Sequence, residues 1–205
     1  MVQDPSDTRQ SVLDEALDCQ VVIPTHDPER PIRRAVDSVL ADSRAGVIVV
    51  AHNVDESVLD IPDDPRVLVV ALTGAEGRPG AAFDAGLAAA SAPWVGIMGS
   101  DDWYEAGALQ AMVRHGKEDN ADGVLTPLAY QDGTRGLIPR TFRNRNLKAA
   151  EDRLFYRTAP LGLYRREVLQ SPEYAFGDEY PVGSDVAVST RLWTSGLSIS
   201  YYPRD

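Results

Sequence analysis

Two adjacent carboxylates, Asp101 and Asp102, follow the apolar run Val95-Gly96-Ile97-Met98 after Gly99-Ser100, and Trp103 comes next. An apolar run of this kind reads as a buried strand. The carboxyl end of a strand is where an open α/β sheet binds its ligands. Two carboxylates placed there repel each other and lose hydration unless a cation offsets them. Hard divalent cations, Mn²⁺ or Mg²⁺, take oxygen ligands of this type and often share them with substrate phosphates. A purely structural reading competes: aspartate is a good N-cap, and a helix is expected over 105–117.

The elements that must position this pair are legible on both sides of it. Gln20 to Thr25 is a β-branched strand stopped by Pro24. Within 31–41, Ile32, Ala35, Val36, Val39 and Leu40 recur at helical spacing, and Pro31 suits a first turn. Further strands are expected over 47–51, 67–72 and 95–98. A glycine-rich loop (74–80) and a small-residue helix (81–90) lie between the last two. Apolar strands alternating with helices predict an α/β fold: a mostly parallel central sheet with helices on both faces, a Rossmann-like three-layer arrangement. The second half changes character. A strand is expected within 123–130, a turn at Gln131-Asp132-Gly133, and a polar, arginine-rich stretch over 135–157. A strand running into a helix is expected over 161–169, a helix over 184–195 and a last strand over 197–202.

Composition narrows the function classes. The chain has 205 residues, 43% hydrophobic and 25% charged, and its 20 Lys and Arg against 31 Asp and Glu leave a net charge of −11. That balance argues against nucleic acid as a partner. The single cysteine, Cys19, excludes an intrachain disulfide and a cysteine-built zinc site. His26, His52 and His115 do not have metal-ligand spacing, and His115 is expected on the surface. No apolar run reaches the ~18–20 residues of a membrane span. Residues 1–18 read as a mobile leader, and 19–205 as a single domain. A cytoplasmic location fits this pattern.

Taken in order, four segments resemble the family 2 glycosyltransferases, whose fold is called GT-A. They are Val21-Val22-Ile23-Pro24-Thr25-His26-Asp27; Gly80 to Ala90; Gly99-Ser100-Asp101-Asp102-Trp103, like that family's DXD-like metal region; and Val182-Gly183-Ser184-Asp185 with Arg191-Leu192-Trp193 and Gly196-Leu197. The resemblance implies a nucleotide-binding half over about 19–103 and an acceptor-side half over about 104–205. It implies an inverting, metal-dependent enzyme that moves a sugar from a nucleotide-diphosphate donor to a hydroxyl acceptor. Asp102 would be the direct metal ligand. Asp101 would hold the ribose, a sugar hydroxyl or a metal-bound water, and Asp185 would be the catalytic base. Pro24, Thr25, Asp27, Asn53 and Arg78 would hold the nucleotide. Peripheral association with a membrane, on a lipid-linked or cell-wall acceptor, is compatible with the family.

The chain also departs from the family pattern. Gly99 stands where an acid is frequent, Phe83-Asp84 replaces a frequent Arg-Asn pair, and His52-Asn53 stands where an acidic pair often touches the base. Alternatives therefore stay open at this point. Asp185 reads equally as an N-cap, Asn53 as a turn residue, and Trp103 as a sugar-pocket wall or a packed aromatic. Arg140, Arg143, Arg145, Arg153 and Arg157 read either as a magnet for an anionic ligand or as a solvated stretch. Gly77 and Gly80 read as turn-formers. At the level of the whole protein, the alternatives are a non-catalytic nucleotide-sugar binder and a sugar-phosphate nucleotidyltransferase. The latter lacks its usual glycine- and arginine-rich loop, because Thr25-His26-Asp27-Pro28 occupies that place.

Overall fold

The computed structural model describes residues 17–74, 78–136, 143–177, 180 and 182–203. Residues 1–16 of the expected leader, Gly77 and Arg140 lie outside these.

Among the described residues seven strands form one sheet: β1 (Cys19–Thr25), β2 (Ala45–His52), β3 (Val67–Leu72), β4 (Trp94–Ile97), β5 (Gly123–Leu125), β6 (Leu163–Arg165) and β7 (Ile199–Tyr201). Their spatial order is β3-β2-β1-β4-β6-β5-β7. Only β6 runs against its neighbours, β4 and β5; every other pairing is parallel. All eight residues of β2 are buried. A strand covered on both faces must be apolar throughout, which is why β1 and β2 read as continuous valine and isoleucine runs rather than alternating ones.

The helices are α1 (Ile32–Leu40), α2 (Pro79–Ala89), α3 (Ala108–Asp119), α4 (Arg166–Leu169) and α5 (Ser184–Thr194). Side chains alternate across a strand, so the odd and even positions of β1 and β2 build two separate cores. Val21, Ile23, Val47 and Val49 pack with Ile32, Val36 and Val39 of α1 and with Leu109 and Met112 of α3. Val22, Ile48 and Val50 pack with Leu87 of α2 and with Val188 and Leu192 of α5. Each such side chain contributes about 1.5–3 kcal/mol when fully buried. In α2, small residues permit close approach: a Cβ on Gly86 would overlap Val22 and stand 2.9 Å from Cγ2 of Val50.

Three expectations are corrected by the structure. The strand expected within 123–130 stops at Leu125. Pro127 has no N–H for a ladder, and the carbonyl of Thr126 instead accepts a hydrogen bond from Arg157 at 2.8 Å. The helix expected from 105 starts at Ala108, behind Gly107 at φ 76°. Neither Asp101 nor Asp102 is therefore its cap. His115 is not a surface residue: its side chain is 15% exposed, lies 3.3 Å from the buried Asp119 carboxylate and meets the Tyr202 ring edge-on.

The arginine-rich stretch is neither a free magnet nor simply solvated. Arg143 pairs with Glu151, and Arg145 pairs with Asp119 at 2.6 Å. Arg157 is buried. It donates to Thr126 and Leu161 carbonyls, and burial lowers its pKa. The end of the expected leader is also anchored: Leu17 is buried, and Asp18 pairs with both Arg44 and Lys117.

Candidate functional site

β1 is followed by β2 on one side in space and flanked by β4 on the other. Strand order reverses at that point, so loops leaving the carboxyl ends of β1 and β4 diverge to opposite faces and leave a crevice. A cleft opens there. Its walls are Pro24, Thr25 and His26 after β1, His52 after β2, Pro79, Ala82 and Phe83 of α2, Gly99 and Ser100 after β4, and Arg30 before α1. Pro24 and Thr25 thus stand where the sequence puts them. Asp101 and Asp102 follow the Gly99-Ser100 wall directly.

The acid pair is folded back over Gly99. The amide of Asp102 donates to the Gly99 carbonyl at 3.2 Å. A Cβ on Gly99 would lie 2.9 Å from Oδ1 of Asp101 and 3.0 Å from Oδ2 of Asp102. These two oxygens converge on one point and are no more than about 6 Å apart, the sum of those distances. Glycine at 99 therefore leaves room for both carboxylates, and a side chain there would need the space they occupy. Asp102 has its pKa raised, first by lost hydration and then by the Asp101 charge; the Gly99 backbone, Arg34 and Arg30 act in the opposite direction.

Two arginines hold this loop. Arg30 pairs through Nη1 with Oδ2 of Asp101 at 2.9 Å. Arg34 donates through Nη2 to the Asp101 carbonyl at 2.6 Å and stacks over the Trp103 ring at 4.1 Å. Trp103 is thus a stacking platform for Arg34, while 41% of it stays exposed.

The remaining nucleotide candidates carry local structure. The Asp27 carboxylate accepts from the Glu29 amide at 2.9 Å, and the Thr25 hydroxyl donates to the Asp27 carbonyl at 3.3 Å. Asn53, at φ 54°, exchanges two hydrogen bonds with the peptide groups of Gly74, and His52 meets the same Gly74 carbonyl. The Asn53 amide is thus engaged with the loop after β3, leaving one N–H for a base. Arg78 is exposed at the start of α2. Asp27, Asn53 and Arg78 are not on the cleft wall itself, and neither are Asp101, Asp102 and Asp185; of the expected site residues, Pro24 and Thr25 are.

Asp185 is the second residue of α5, half-buried, behind Gly183 at φ 86°; Gly183, not Asp185, is the cap residue. α5 returns through a short turn into β7, which is parallel to β5. Its first turn therefore lies at the same sheet edge as Asp101 and Asp102, on the α2 face. The approach to α5 is tied to α2. The Asp84 carboxylate accepts from the amides of Phe176 and Gly177 at 2.9 and 2.8 Å, and Phe83 stacks on Phe176 at 4.8 Å between centroids. Phe83-Asp84 thus ties α2, which lines the cleft, to the segment at Phe176-Gly177.

Residues 20–171 match the family model described as Glycosyl transferase family 2. The chain belongs to that family. The succinoglycan biosynthesis protein ExoO of Rhizobium meliloti (strain 1021) is 34% identical over 109 residues, covering 49% of this chain and 30% of that protein. Among solved structures, the 1-349 fragment of S. aureus TarS has a TM-score of 0.75 at 19% identity, over 91% of this chain and 58% of that one. The longer TarS structure reaches 0.77 at 20% identity, over 92% and 36%. The fragment in complex with UDP-GlcNAc reaches 0.74 over 59% of its length. The chain thus spans less than two thirds of each. At these identities the TarS structures establish the GT-A-like fold.

Within this family frame, Asp101 and Asp102 offer two carboxylate oxygens, no more than about 6 Å apart, of the kind a hard divalent cation takes. Two carboxylate oxygens converge, and such a cation bonds oxygen at about 2.0–2.6 Å. Among the described residues no group of three or more His, Cys, Asp or Glu side chains assembles. Phosphate and water would therefore complete the shell, as is usual for Mg²⁺-type sites. Sequence reasoning missed Arg30, Arg34 and the tethering role of Asp84. Their partners lie 71, 67 and 92 residues away, and no local periodicity encodes such contacts.

Proposed function

We propose that this chain transfers a sugar from a nucleoside diphosphate donor to an acceptor hydroxyl, with inversion at the anomeric carbon. The observation that carries the reading is the convergence of the Asp101 and Asp102 carboxylates at the reversal point of the sheet, next to a cleft walled by Thr25, His26 and Ser100. Family membership supports the reaction class. The TarS complexes with UDP and UDP-GlcNAc make a uridine nucleotide the first donor to try.

In this reading Asp102 and Asp101 would hold a Mn²⁺ or Mg²⁺ ion, which when bound would supply Lewis-acid stabilisation of the diphosphate's charge. The end of β1 seats the nucleotide, with Thr25 fixed by its bond to the Asp27 carbonyl. Asp185 takes the proton of the acceptor hydroxyl as that oxygen attacks the anomeric carbon. The bond from that carbon to the diphosphate oxygen breaks, and its electron pair leaves with the diphosphate. One base and one displacement invert the centre. Asp84 holds Phe176 and Gly177 against α2, on the same face of the sheet as α5.

Donor hydrolysis or transfer measured with Mn²⁺ tests this. Asp185→Asn should lower kcat by ~10²–10⁴-fold while nucleotide binding stays within about twofold. Asp102→Ala should lose cation-dependent nucleotide binding as well as turnover. Full turnover in both variants would remove the assignment. Tight nucleotide binding without turnover across a broad acceptor panel would favour the non-catalytic reading, which the altered positions 83, 84 and 99 leave open.

A further inference from the structure

Arg30 and Arg34 both reach the Asp101 loop, but they do different work. Arg34 holds main chain: it bonds the Asp101 carbonyl and stacks on Trp103, which fixes the loop whatever the carboxylates do. Arg30 bonds only the carboxylate, through one nitrogen, at 2.9 Å. Oδ1 of Asp101, meanwhile, lies over Gly99 beside Asp102. One oxygen of Asp101 is therefore neutralised by a guanidinium, and the other faces a second acid.

We propose that Arg30 is the resident counter-ion of the acid pair: its guanidinium occupies Asp101 until a divalent cation displaces it, and so sets how tightly the empty cleft takes that cation. This rests on the reading that Asp101 and Asp102 hold a metal. The side chains of the pair are 40% and 54% exposed, so water can replace either partner and the bond can exchange. A dry ion pair would be locked instead. Arg30 already lines the cleft, together with Thr25, His26 and Ser100. A planar fork there suits a diphosphate, whose oxygens take two parallel N–H bonds. Cation and nucleotide diphosphate would then bind as a coupled pair: the cation takes Asp101, and the nucleotide gives Arg30 its replacement partner.

The test is titration of the whole chain with Mn²⁺ alone, read as free Mn²⁺ by electron paramagnetic resonance, and repeated with UDP present. Arg30→Gln should bind Mn²⁺ alone about three- to fivefold more tightly than wild type, the range an exposed pair can shift an equilibrium. It should also show a smaller gain from added UDP. Arg30→Lys, which keeps the charge but not the planar fork, should stay near wild type with Mn²⁺ alone and show a smaller gain from UDP. Arg33→Gln removes a charge from α1 that is paired with Asp37 and Asp60, away from the acid loop; it should change nothing. Equal or weaker Mn²⁺ binding by Arg30→Gln overturns the counter-ion role. Asp102→Asn separates the two levels. If it loses Mn²⁺ while Arg30→Gln shows no gain, the metal site stands and the counter-ion role is wrong. If no form of the protein binds Mn²⁺ with or without UDP, the metal reading fails and this inference goes with it.

Discussion

At the scale of residues, the site is a set of charges whose hydration has been partly removed. Asp102 is the clearest case, since lost hydration and then the Asp101 charge push its carboxyl above the usual carboxylate range. A raised folded value means that the fold favours the protonated form. The stability from that preference is fully present below the unfolded value and is lost as pH rises through the folded one. Asp102→Asn removes the charge at every pH. It should therefore raise Tm at pH 7 by about 1–2 °C, a gain that fades as pH falls toward 4. A Tm gain that is constant with pH, or a loss, would show that Asp102 is not held against its own charge. The acid pair itself was legible in the sequence because two carboxylates after an apolar run demand an explanation. Their convergence over Gly99 was not: the sequence marks position 99 as a missing acid, whereas the structure gives its glycine the task of making room. Arg30 was illegible for a similar reason, because its partner is set by how two loops meet at a sheet edge.

At the scale of elements, the cleft depends on how closely α2 lies on the sheet. Glycine inside a helix ordinarily costs about 1 kcal/mol relative to alanine, so Gly→Ala there should stabilise. At Gly86 the sign reverses, because a Cβ would overlap Val22 and press on Val50. Gly86→Ala should destabilise by about 1–3 kcal/mol in urea unfolding. A stabilised Gly86→Ala protein would mean that α2 stands farther from β1 and β2. The first four strands and the first two helices were readable to within two residues, because β-branched runs and i, i+3, i+4 spacing carry their own signal. The second half was harder. β5, β6 and β7 are three residues each, and Pro127 cuts β5 short inside a run that reads as a longer strand. The arginines at 143, 145 and 157 looked like a surface feature. Arg143 and Arg145 do stay exposed, but they pair with Glu151 and Asp119, and Arg157 is buried on the Thr126 and Leu161 carbonyls, partners that composition cannot reveal.

At the scale of the whole molecule, strand order puts the chemistry in one place. The sheet reverses between β1 and β4, and that reversal brings Thr25, Arg30 and the Asp101-Asp102 loop to one crevice. The sense of β7 sets the start of α5, with Asp185, at the same edge. The three-layer arrangement was readable from alternation of strand and helix, but the reversed strand β6, wedged between β4 and β5, was not. No helix among the described residues is long and apolar enough to cross a membrane. If the proposed reaction is right, a cation and a nucleoside diphosphate meet at the acid pair. Anomalous diffraction from crystals grown with Mn²⁺ and UDP would locate both. A manganese peak is expected about 2.1–2.3 Å from a carboxylate oxygen of Asp102, next to the diphosphate in the β1–β4 crevice. A nucleotide bound elsewhere, or bound in that crevice with no manganese on Asp102, would contradict it.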